Sequence, residues 1–133
     1  MHDRLFVYGT LRPGCGHPMA DFLAAHATHL GQAITAGRLY DLGRYPGMLE
    51  PAVDGDWVVG DLFEVTTPAV LQKLDDYEGI ESPRPAFFER QVVMVQMPDG
   101  NDCRAFVYWY RGDIPEAQRI ASGCYLTHLS NNR

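Results

Sequence analysis

The chain has 133 residues, of which 46% are hydrophobic and 21% charged. That suits one folded unit, since domains run to about 100–150 residues, and it excludes a disordered tail or a fibre. Seventeen acidic residues against eleven basic give a formal net charge of −6, so a phosphate-neutralising surface, and with it a nucleic-acid partner, is not expected. No apolar run approaches the roughly 20 residues that span a bilayer. The N-terminal MHDRLFVYG holds no apolar stretch of signal-peptide length. The expectation is a single domain over residues 1–133 with no membrane partner.

Elements follow in chain order. Arg4–Tyr8 is rich in Leu, Phe, Val and Tyr and reads as a strand, which Gly9-Thr10-Leu11-Arg12-Pro13-Gly14 ends abruptly. Over Pro18–Ala27, Met19, Phe22, Leu23 and His26 recur at helical spacing, with Pro18 tolerated in the first turn. Gly31–Leu42 alternates like a strand, and Tyr45-Pro46-Gly47 marks a turn. Trp57–Val65 is a strand, apolar except at Gly60, Asp61 and Glu64. Thr67-Pro68 opens a second helix carrying Val70, Leu71, Leu74 and Tyr77, and Gly79 suits the residue beyond its end. Phe87–Met97 and Cys103–Tyr110 form the clearest strand pair, joined by turn residues 98–102. A short helix is expected over Pro115–Ala121 and a frayed end from Ser130. Five or six strands and two main helices define an α+β fold, with a twisted sheet or small mixed barrel, mostly antiparallel.

Three cysteines (Cys15, Cys103 and Cys124) are an odd number without a CxxC pair. Neither a disulfide framework nor a thiolate zinc site follows, and a reducing cytoplasm is the expected compartment. His26 and His29 can share a helix face, but no carboxylate or cysteine nearby in sequence completes a ligand set, so no metal is expected.

Two segments carry chemistry. The glycines of residues 9–14 let backbone N–H groups converge on an anion, and Arg12 offers a guanidinium for a carboxylate; the alternative is a plain tight turn. Leu74-Asp75-Asp76-Tyr77-Glu78-Gly79 crowds three carboxyls at a helix C-terminus, whose partial negative charge disfavours anions. A buried carboxyl there is raised in pKa and can take and return a proton; the alternative for Asp75 and Asp76 is a solvated cap. Tyr8, Tyr40, Tyr45, Phe88, Tyr108 and Tyr110 are core or sheet-face aromatics, with one or two phenols available to orient a polar ligand.

The two segments, about 60 residues apart, together resemble the γ-glutamylcyclotransferase-like family. The shorter members, akin to γ-glutamylamine cyclotransferase and the avirulence-induced proteins, look most similar. Tyr45-Pro46-Gly47, Phe88-Glu89-Arg90 and Val107-Tyr108-Trp109-Tyr110 fall in the order that family shows. The resemblance implies a small mixed barrel and conversion of a γ-glutamyl amine or amino acid to 5-oxoproline, without metal or organic cofactor. It puts Glu78 at the catalytic acid/base and Tyr8, Gly9, Thr10, Leu11, Arg12, Tyr45, Arg90 and Tyr110 at the substrate. Phe88 stands where many members carry tyrosine, and Cys124 where an acidic residue is frequent. Two other readings stay open: a non-catalytic module binding a small carboxylate in the same pocket, and a thiol enzyme using Cys15.

Overall fold

The computed structural model describes residues 3–9, 11–13, 18–42, 46–78, 88–112 and 118–131, without the side chains of 3, 76–78 and 131. The expected Thr10, Gly14, Cys15, Tyr45 and Gly79 lie outside the described residues, as do 113–117. In chain order the elements are β1 (Asp3–Val7), α1 (Pro18–His26), β2 (Thr28–Ala36), β3 (Arg38–Asp41), β4 (Pro46–Leu49) and β5 (Trp57–Val65). Then come α2 (Pro68–Glu78), β6 (Phe88–Gln96), β7 (Asp102–Tyr110), β8 (Gln118–Arg119) and α3 (Tyr125–Asn131).

Five strands close into a barrel in the order β1-β5-β2-β6-β7, with β3, β4 and β8 in a separate three-stranded sheet. Every barrel neighbour is antiparallel except β1 and β7, which run parallel through Leu5 and Phe106. The fold is thus α+β with a mixed barrel, as the alternating strands suggested.

Alternation along the strands divides the core in two. Phe6, Tyr8, Leu62, Val95, Ala105, Val107 and Trp109 fill the barrel. Leu5, Val7, Phe63, Val65, Tyr108 and Tyr110 face the other way and are covered by Leu23 of α1 and Val70, Leu71 and Leu74 of α2. The barrel is narrow enough that Gly60 has no room for a side chain: a Cβ there would collide with the Val7 carbonyl and the Phe6 ring. The β6–β7 hairpin turns at Gly100, whose φ of 88° is in the glycine-favoured region. Its N–H bonds the Met97 carbonyl at 2.9 Å.

Four expectations need correction. Gly31–Leu42 is not one strand but β2 and β3, broken at Gly37, whose N–H bonds the Asp56 carbonyl at 3.0 Å. Pro46 and Gly47 are not a turn but the start of β4, paired with Asp41 and Tyr40. The helix expected up to Ala121 is replaced by strand β8, because Arg119 pairs with Tyr40 and the Ile120 N–H bonds the Leu39 carbonyl at 2.8 Å. Ser130 belongs to a third helix, α3, seated by buried Tyr125 and by His128 Nε2, 2.8 Å from Asp41 Oδ2.

Asp56 ties the second sheet to the barrel end. Its carboxylate accepts from Arg119 Nη2 at 2.8 Å and from the N–H groups of Ala52 and Val53 at 2.8 and 3.1 Å. The Arg119 bond and then the two main-chain donors hold its pKa at about 2, below the ordinary 3.8. A depressed carboxyl contributes stability above its unfolded value and loses it as pH falls through its folded value. Asp56→Asn should therefore lower the urea midpoint at neutral pH, with the gap to wild type closing as pH drops from 3.8 towards about 2. A gap of constant size across that window would contradict this assignment.

Candidate active site

The strand β1 delivers the chain into the first loop, and α2 ends at Glu78; both rest on β7. Tyr8 points into the barrel and its hydroxyl donates to the Tyr108 carbonyl at 2.6 Å. The Tyr108 side chain lies on the opposite face, and its own hydroxyl donates to Asp75 Oδ1 at 2.8 Å. Asp75 Oδ2 meets Arg90 Nη1 at 2.8 Å. Asp75 is therefore no solvated cap: it is 6% exposed and sits one helical turn before Glu78. The Arg90 guanidinium also stacks 4.8 Å from the centre of the Phe106 ring, a favourable cation–π arrangement. The side chain of Glu78, like those of Asp76 and Tyr77, lies outside the described residues.

The first loop is pressed against the second sheet. A Cβ on Gly9 would fall 2.5 Å from Pro46 Cγ, and one on Gly47 would fall 2.8 Å from Tyr110 Cγ. Only glycine at both positions lets these side chains come so close to the main chain. Leu11 and Tyr110 are buried nearby in the outer core, and Phe88 meets Tyr110 edge-on at 5.5 Å. The Arg12 N–H closes the loop on the Gly9 carbonyl at 3.0 Å.

Arg12 turns into the barrel wall. Its side chain is 3% exposed, with Nε 2.7 Å from Asp61 Oδ2 and Nη1 3.5 Å from Cys124 Sγ. His29 Nε2 lies 2.9 Å from Asp61 Oδ1. His26 and His29 share no helix face, because α1 stops at His26 and His29 is already in β2, its ring 5.1 Å from that of Phe63. Burial alone would raise the Cys124 thiol. The Thr127 hydroxyl and main chain and the Arg12 guanidinium together outweigh that and lower its pKa below 9.0.

Asp61 did not stand out as a site residue in the sequence, and Tyr108 stood out only as one of six aromatics. A carboxylate inside an apolar strand is a signal of a buried cation, but its partner lies 49 residues away. Among the described residues no group of three or more His, Cys, Asp or Glu is placed to hold a metal ion. No described helix is long and apolar enough to cross a membrane.

The closed five-stranded barrel flanked by helices is a fold shared with solved proteins. YkqA from Bacillus subtilis is 26% identical with a TM-score of 0.76 over 100% of this chain, which spans 44% of that protein's length. An AIG2-like protein from Mus musculus is 27% identical with a TM-score of 0.69, covering 86% of this chain and 81% of that one. YtfP from Escherichia coli is 29% identical with a TM-score of 0.64, covering 94% and 97% respectively. No curated protein matches in sequence. The family model described as γ-glutamyl cyclotransferase, AIG2-like, matches residues 5–127, and the chain belongs to that family.

Removing one partner of a buried ion pair typically costs about 3–5 kcal/mol, because the other charge stays buried and unpaired. Asp61→Ala should therefore lower unfolding free energy by about that amount, read in urea denaturation. A loss below about 1 kcal/mol, as for a surface pair, would show that Arg12 is not held by Asp61 in solution.

Proposed function

We propose that the protein converts a γ-glutamyl amine or γ-glutamyl amino acid to 5-oxoproline and the free amine, with Glu78 as the acid/base. Family membership over residues 5–127 supports the reaction class. The observation that carries the residue assignment is the double use of Tyr108. Its carbonyl holds the strand that leads into the glycine loop, and its hydroxyl holds the helix that ends in Glu78.

In this scheme Glu78 takes a proton from the substrate's α-ammonium. The freed nitrogen attacks the γ-carbonyl carbon, and a five-membered ring closes. The carbonyl oxygen carries negative charge in the tetrahedral intermediate. N–H groups of Gly9, Thr10 and Leu11 are proposed to stabilise that charge or to hold the α-carboxylate. Collapse breaks the bond to the amine, which leaves with the proton returned by Glu78, and the ring nitrogen gives its second proton to the regenerated Glu78 carboxylate, which passes it to solvent. Nucleophile and electrophile belong to one molecule, so folding it back in the pocket supplies much of the acceleration. A carboxyl and main-chain amides serve every step, so the scheme calls for no cofactor.

Tyr8, Tyr45 and Tyr110 are proposed to border the substrate. Arg12 and Arg90 are proposed to act on it indirectly, since Asp61 and Asp75 engage their guanidinium groups. Cys103 and Cys124 are unbridged, which fits the reducing cytoplasm we propose as the compartment.

The test is incubation with a panel of γ-glutamyl amines and peptides and detection of 5-oxoproline. Wild type should form it from at least one member. Glu78→Gln keeps the shape but cannot accept a proton, so turnover should fall by about 10²–10⁴. Saturable binding without product, or wild-type turnover by Glu78→Gln, would contradict the proposal.

A further inference from the structure

The apolar face of α2 cannot by itself fix where Glu78 stands. Val70, Leu71 and Leu74 are buried against the outer face of the barrel, and such contacts are non-directional. A helix held only by them can slide or turn by a fraction of an ångström at little cost. Cyclisation tolerates no such freedom, since a displacement of about 1 Å can cost 10²-fold in rate.

Directional contacts lie one turn before Glu78. Asp75 is 6% exposed and receives the Tyr108 hydroxyl on one carboxylate oxygen and Arg90 on the other, both at 2.8 Å. These donors come from adjacent strands at directly paired positions, because Arg90 of β6 lies opposite Tyr108 of β7. Two donors from two strands fix both the axial position and the rotation of the helix, which one contact could not. A buried ion pair is a weak source of net stability; what this one adds is direction, with each carboxylate oxygen held by its own donor. The strand that supplies the hydroxyl also supplies, from the same residue, the carbonyl that accepts from Tyr8. One residue therefore spans from the entrance of the glycine loop to the last turn of α2.

We infer that Tyr108, with Asp75 and Arg90, forms a strut of positioning residues that sets the last turn of α2 against the first loop. The inference rests on the cyclotransferase reading, in which those two segments must meet one substrate. None of the three needs to touch the substrate. Their effect is on the fraction of molecules in which the reacting geometry is attained, so kcat should carry it and KM should not.

The experiment is a double-mutant cycle with Tyr108→Phe and Asp75→Asn, measured by 5-oxoproline release and by amide hydrogen exchange. Tyr108→Phe keeps the ring and removes only the hydroxyl. Each single variant should lose about 10- to 100-fold in kcat, with KM within about threefold of wild type. The double variant should be scarcely worse than the more damaged single one, because Tyr108→Phe releases the hydroxyl arm and Asp75→Asn the Arg90 arm of one two-point hold, which either loss undoes. Exchange in residues 74–78 should accelerate while the denaturation midpoint stays well above assay conditions.

Wild-type kcat in both singles, additive losses, a loss confined to KM, or a loss that merely tracks unfolding would each overturn the strut. Should wild type form no 5-oxoproline from any γ-glutamyl compound, the proposed function fails on its own account. Exchange then decides the strut: acceleration in residues 74–78 in both singles supports it, and unchanged protection overturns it.

Discussion

The strand β1 has an antiparallel neighbour on one side and a parallel one, β7, on the other, and the proposed site depends on that parallel edge. Parallel strands leave their ends together at one rim of the barrel. The glycine loop after β1 and the aromatic end of β7 therefore emerge side by side. Period-two alternation then splits their side chains between two environments. Tyr8 goes inside and Tyr108 outside, so one residue of β7 can be gripped from both faces at once. An antiparallel closure would have sent the two ends to opposite rims.

Two buried carboxylates stand on the outer side of this barrel, and each is met by an arginine. Asp61 holds Arg12, the residue that closes the first loop, and Asp75 holds Arg90 beside the last turns of α2. Their arrangement is similar in logic: a charge that is costly to bury is paired and hydrogen-bonded, and the pair sits next to a segment that must not wander. In the proposed site Arg12 and Arg90 thus act from behind, through their carboxylate partners. Glycines do the complementary work in front, letting Pro46 approach Gly9 and Tyr110 approach Gly47.

Much of the barrel was legible in the sequence because local rules suffice there. Trp57–Val65 and the hairpin around Gly100 follow period-two patterning and turn chemistry. Helix α2 follows an apolar stripe behind a proline start. The second sheet was not legible. β4 is four residues and β8 two, too short to show a period, and only pairing with β3 makes them strands. Helix α3 was missed for a related reason, since its seat depends on Tyr125 and on the His128–Asp41 contact across 87 residues. The candidate site divides the same way. The glycine loop and the acidic helix end stand out as local patterns. The turning of Arg12 towards Asp61 and of Arg90 towards Asp75 is set by partners on other elements, which spacing along the chain cannot reveal.

The most direct test of the central claim is a crystal structure of the protein with bound 5-oxoproline or a non-cyclising γ-glutamyl analogue. The expected result is one ligand within hydrogen-bond reach of both the Glu78 carboxyl and the main-chain amides of residues 9–11. A ligand bound elsewhere, or a Glu78 side chain directed into solvent away from those amides, would contradict the account.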